Sequence, residues 1–166
     1  YEGRAVIIGG IAASLLGTPR LTADLDALML LSIDDLPALL EAARAEGLIE
    51  RISDPEAFAR RSRVVLLRHV ESGTGIDISL GMLPFEQEMV ARSEVVTVEG
   101  LELYLPTPED LIIMKAVAHR PKDLQDIQGL IQRHPDLDRR RIRSWVTQFA
   151  DLLEMPELWD AIAGWL

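Results

Sequence analysis

The chain has 166 residues, 48% of them hydrophobic and 27% charged, which suits one globular domain with a real core. It contains no cysteine, so a disulfide scaffold, a thiolate zinc site and a cysteine nucleophile are all excluded. The formal net charge is −10 and the pI near 4.7, so any polynucleotide partner would need a local basic patch.

Ala5-Val6-Ile7-Ile8 reads as a buried strand stopped by Gly9-Gly10, and Ile11 to Leu16 as a helix closed by Gly17. After a polar bridge over Thr18 to Thr22, Ala23 to Leu30 alternates as a second strand. A helix is expected from Asp34 to about Glu46-Gly47, with Pro37 in its first turn. Arg63 to Val70 and Gly75 to Leu80 are strand candidates on either side of the turn at 71–74. Pro84 to Arg92 reads as a helix, and Val95 to Val98 and Leu101 to Leu105 as a hairpin about Glu99-Gly100. From Pro108 the period is helical throughout: Pro108–His119, Lys122–Arg133, Asp138–Leu153 and Pro156–Trp165. The expected architecture is one α/β (α+β) domain over 1–166, with a mixed-sheet core over 1–105 and a helical part over 106–166.

No apolar run approaches the roughly 18 residues of a membrane span, so no membrane partner is expected. The chain opens at Tyr1 without methionine, which predicts a trimmed N-terminus or a missing short leader. Nothing resembles a signal peptide, and the cytoplasm is the expected location. His69, His119 and His134 form no zinc-binding pattern, which leaves hard cations held by oxygen as the metals to consider.

The stretch richest in chemistry is Gly9-Gly10 through Asp24-Leu25-Asp26. Side chains alternate along a strand, so Asp24 and Asp26 share a face, where two like charges repel. A strand tolerates that cost when a cation sits between the carboxylates, and an all-oxygen set favours Mg²⁺ or Mn²⁺. Asp77, between isoleucines in Gly75-Ile76-Asp77-Ile78-Ser79, joins them if the two strands are neighbours. Gly9-Gly10 between a strand and a helix would present bare amides to a triphosphate. The competing readings are strand-edge acids and a simple tight turn.

Gly9-Gly10, thirteen further residues and then Asp24-Leu25-Asp26 resemble the signature of the DNA polymerase beta-like nucleotidyltransferase superfamily. Arg20-Leu21-Thr22 ahead of the acidic pair is most similar to its AbiEii-type branch, which includes toxin components of toxin–antitoxin systems. Pro108 to Lys115, with Arg120-Pro121-Lys122-Asp123 and Asp126, resembles that branch's Leu-x-x-x-Lys helix and Arg-x-Lys-Asp-x-x-Asp motif. The resemblance covers roughly residues 5–132, and 28–68 matches no motif.

The resemblance implies transfer of a nucleotidyl group from a nucleoside triphosphate to an acceptor hydroxyl on RNA, protein or a small molecule. It implies Asp24, Asp26 and Asp77 as metal ligands, with Asp77 also activating the hydroxyl. Gly9, Gly10, Arg20, Thr22, Lys115 and Lys122 would face the nucleotide, with Lys115 and Asp123 also catalytic. An antitoxin protein would be a partner. A catalytically silent nucleotide- or protein-binding module is the alternative, and a phosphohydrolase built on the same carboxylates is a third reading.

Asp123 and Asp126 share a helix face and could orient Lys115 or Arg120. His119 is assigned no role. Arg60-Arg61-Ser62-Arg63 and the run Arg139 to Arg143 read as solvated faces, with contact to a polynucleotide acceptor as the competing reading. Trp145, Trp159 and Trp165, with Phe149, Leu152 and Ile162, read as core or a dimer seam.

Overall fold

The computed structural model describes residues 5–166. β1 (Ala5–Ile8) runs directly into α1 (Gly9–Leu16), which therefore starts two residues earlier than the sequence suggests. β2 (Asp24–Met29) follows, then a 3-10 turn at Ile33–Asp35 and α2 (Leu36–Ala45). The hydroxyl of Ser32 accepts the Asp34 N–H and so starts this helical stretch just ahead of the acidic pair.

Two elements lie where no pattern pointed: β3 (Leu48–Glu50) and α3 (Pro55–Ser62). A three-residue strand is too short to show alternation. The signal for α3 is a cap, since the Asp54 carboxylate accepts the Ala57 N–H at 3.0 Å ahead of Pro55. β4 (Val64–His69), β5 (Gly75–Leu80), α4 (Pro84–Ala91), β6 (Glu94–Val98) and β7 (Leu101–Leu105) lie close to their expected bounds. So do α5 (Pro108–Ala118), α6 (Pro121–Arg133), α7 (Arg139–Leu153) and α8 (Glu157–Ala163).

Five strands form one mixed sheet in the order β1-β2-β5-β4-β3. Only β2 and β5 are parallel; the other pairings are antiparallel. The β6–β7 hairpin is a separate ribbon, with β7 lying along β1. Alternation sorts each strand between two cores. On one side Val6, Ile8 and Leu28 pack with α1 and the helices from α4 onward. On the other Met29, Val65, Leu67, Ile78 and Leu80 pack against α2 and Ala59 of α3. Val64, Leu66 and Asp77 point to the first side beyond the reach of its helices and are only half-buried.

The aromatic residues divide. Trp145 meets Phe85 edge-on at 5.2 Å, and Phe149 completes that cluster, as core packing requires. Leu152 and Trp165 instead stay exposed, at 77% and 36%.

The arginine run at 139–143 is a solvated face except at Arg141, since Arg139, Arg140 and Arg143 are exposed. Arg141 donates to Asp110 at 2.7 Å and to Glu88 at 2.8 Å, joining α7 to α5 and α4. Arg143 sits 5.8 Å over the Trp159 ring, and Arg139 bonds the Leu166 carbonyl. Arg60 and Arg61 on α3 are exposed as well.

Candidate active site

The parallel register of β2 and β5 sets Asp26 opposite Asp77 and Asp24 opposite Gly75. One row across the sheet therefore reads Ile8, Asp26, Asp77, Leu66. Directly opposed like charges destabilise a strand pair, so this row needs compensation. Burial pushes the Asp77 carboxyl up, the Arg51 cation opposes that, and Asp26 and Asp24 push it further up. The net result lies above the ordinary carboxylate value. Arg51 forms an ion pair with Asp77.

Gly9 and Gly10 close one end of this row. Gly9 has φ +65°, which favours glycine, and a Cβ there would lie 2.6 Å from Cγ of Asp26. A Cβ on Gly10 would lie 2.6 Å from the Thr22 hydroxyl and 3.2 Å from the Arg20 guanidinium. Bare backbone is what allows the acidic strand and the polar bridge to close over the start of α1. Ser14, one turn along α1, fixes that bridge: its hydroxyl donates to the Arg20 carbonyl at 3.0 Å.

The opposite wall comes from α5 and α6. Lys115 is only 4% exposed, and its ammonium donates to Asp126 at 2.6 Å and to Asp123 at 3.3 Å. Arg20 grips Asp126 with two N–H groups, at 2.8 and 3.0 Å. Arg120 grips Asp123 in the same way, at 2.5 and 3.2 Å. Burial pushes both aspartates up, yet the hydrogen bonds and charges of their cations outweigh it and hold both below the ordinary range. The network is three cations on two carboxylates, with a surplus positive charge facing the cleft.

Asp123 is fully buried, with both oxygens bonded to the Lys115 and Arg120 cations. Lys115 has two of its three donors occupied and can offer the cleft only the third. Asp126, expected to orient Lys115 or Arg120, orients Lys115 and Arg20.

A cleft of about 290 Å³ lies between these walls. Gly9, Gly10, Arg20, Thr22, Asp24, Asp26, Asp77, Lys115, Lys122 and Asp123 all line it, so the structure gathers every candidate residue into one place. Leu111, Met114 and Ala118 of α5 give it an apolar side. Two residues were not singled out from sequence. Arg120 stood inside a quoted motif without a role. Arg51 follows a three-residue strand and carried no signal at all.

The donor set suits a hard divalent ion, because Asp24, Asp26 and Asp77 offer only carboxylate oxygens and share one sheet face. As the side chains stand, no three acidic or histidine groups among the described residues converge on one point, and Asp77 is engaged by Arg51.

A five-stranded mixed sheet with flanking helices and an acidic row beside a glycine turn defines the nucleotidyltransferase class of fold. The chain belongs to a family described as "Nucleotidyltransferase of unknown function (DUF6036)", whose model matches residues 1–154. Solved structures carry the same fold at low identity. An antigenic nucleotidyltransferase-like protein from Paracoccidioides brasiliensis is 16% identical with TM-score 0.56, over 96% of this chain and 84% of that one. The antibiotic-resistance factor ANT(2'')-Ia in solution is 13% identical with TM-score 0.59, over 93% and 85%. A crystal structure of ANT(2")-Ia in complex with adenylyl-2"-tobramycin gives 13% and 0.56, over 90% and 88%. No curated protein matches the chain. No helix among the described residues is long and apolar enough to cross a membrane.

Proposed function

We propose that the chain transfers a nucleoside monophosphate from a nucleoside triphosphate to a hydroxyl of a small molecule. The observation that carries this reading is the in-register row of Asp26 and Asp77 beside Asp24, closed by Gly9-Gly10 and faced by a cationic wall. Asp24, Asp26 and Asp77 would hold Mg²⁺ or Mn²⁺. Such an ion supplies charge neutralisation at the transferring phosphoryl group.

The chain's own residues do the rest by positioning. Amides at the start of α1 and the free donors of Arg20, Arg120 and Lys122 bind the triphosphate. Thr22 and Gly10 fit together to shape that floor, and Lys115 adds its remaining N–H. Asp77 accepts the proton as the acceptor oxygen bonds to the α-phosphorus and pyrophosphate departs. A small acceptor is favoured by the net charge of −10. ANT(2")-Ia, which shares the fold, has been crystallised in complex with adenylyl-2"-tobramycin.

The test is thermal unfolding with Mg²⁺ plus each triphosphate, for the wild type beside Asp24→Asn/Asp26→Asn, followed by pyrophosphate release against a panel of hydroxyl compounds. Ligand at 100 times its Kd raises stability by about 2.7 kcal/mol, and the double variant should lose that shift. Absence of any shift in the wild type would sink the reading. Binding without turnover would favour the silent module. The AbiEii-type toxin setting, with a cognate antitoxin, predicts growth arrest on expression that Asp24→Asn relieves.

A further inference from the structure

Arg51 directly follows β3 and extends its ladder, donating its N–H to the Leu66 carbonyl at 3.0 Å. Leu66 stands opposite Asp77, and Asp77 opposite Asp26. Arg51 therefore falls in the carboxylate row itself, and its guanidinium reaches across Leu66 to pair with Asp77. It also passes over Gly75. A Cβ on that glycine would lie 3.2 Å from Nη1 of Arg51 and collide with an Asp24 oxygen. One guanidinium thus sits beside two of the three carboxylates. The pair is also wet, since the Arg51 and Asp77 side chains are 31% and 35% exposed. Pairs of that kind are weak and exchange readily.

Given the reading of Asp24, Asp26 and Asp77 as a divalent-cation site, we propose that Arg51 is its tethered counter-cation. It holds Asp77 in the row while the site is free of metal and gives the carboxylate up when an ion enters. The guanidinium brings one positive charge where the ion brings two, and both compete for the same oxygens. Arg51 therefore sets the metal concentration at which the site fills. It is a positioning residue, acting through Asp77 and not on substrate.

The proposal is tested without catalysis, by titrating the purified protein with Mn²⁺ at low salt and reading free Mn²⁺ by electron paramagnetic resonance. Arg51→Gln should bind Mn²⁺ on the order of tenfold more tightly than wild type, because a positive charge has left the site. Arg51→Lys, which keeps the charge, should stay close to wild type, and Asp24→Asn should lose binding. The unfolding temperature should rise more on adding Mn²⁺ to Arg51→Gln than to wild type.

If Arg51→Gln binds no tighter while Asp24→Asn still loses binding, Arg51 is not a competing cation and only the carboxylate site stands. If Arg51→Lys tightens as much as Arg51→Gln, the charge argument is wrong. If Mn²⁺ binding is indifferent to Asp24→Asn, the carboxylate reading itself falls and takes the proposal with it.

Discussion

A single methyl group separates Gly9 from alanine, yet it would have to share space with the carboxylate of Asp26. The residue would also hold φ near +65°, a conformation that costs a non-glycine residue about 1–3 kcal/mol. Gly9→Ala should therefore lower stability by about that amount, read by urea unfolding, and should displace Asp26 enough to abolish the triphosphate-dependent thermal shift. Replacing Asp24 by asparagine is a different perturbation. The side chain is exposed, so folding should survive while transfer falls by about 10² or more, measured as pyrophosphate release. At this scale the sequence was highly legible, because Asp24-x-Asp26 and Gly9-Gly10 are short local patterns whose geometry follows from strand alternation. Arg51 was not, since its place depends on the β3–β4–β5 register and on no neighbour in sequence.

Helices α5 and α6 meet through an ionic cluster and not through apolar contact alone. Lys115 and its two aspartates are almost wholly buried, and each needs the others. Removing Asp126 leaves the buried Lys115 with Asp123 alone and takes from Arg20 its carboxylate partner. Asp126→Ala should cost about 3–5 kcal/mol, while Lys115→Met combined with Asp126→Leu should recover much of it; urea midpoints of the three proteins decide. A double variant no more stable than Asp126→Ala would refute this account. The elements themselves were readable where period and caps agree, as in α5, where Thr107 caps the helix ahead of Pro108. They were unreadable at β3, whose three residues cannot show a period. The hydrogen bonds of Lys115 were unreadable for a related reason. The family resemblance set it towards the nucleotide, and only the docking of α6 reveals that two carboxylates also bind its ammonium.

For the molecule as a whole, acid should act in two stages. From pH 7 towards the pI near 4.7 the net charge of −10 is neutralised, which relieves self-repulsion. Asp77 contributes in the same direction, because its carboxyl is held above the ordinary value and protonation removes a penalty. Asp123 and Asp126 act oppositely. Their carboxyls are held below the ordinary range, so the stability they lend is complete above an unfolded pKa of about 3.9 and is lost as pH falls through their folded values. Urea midpoints should thus hold or rise slightly towards pH 5 and drop steeply below about pH 4. In Asp126→Asn that drop should be shallower. An equally steep fall in the variant would place the acid sensitivity elsewhere.

The Arg20–Asp126 clasp spans 106 positions of the chain, and the β2–β5 ladder joins 24–29 to 75–80. Such non-local closures are slow, because loop entropy must be overcome before any contact repays it. On a ribosome adding about 5–20 residues each second, the carboxylate row could align roughly 2–10 s before Asp126 exists to brace Arg20. During that interval the nascent chain presents three opposed acids with only part of their compensation. The cleft is therefore completed late, when α6 arrives to brace Arg20.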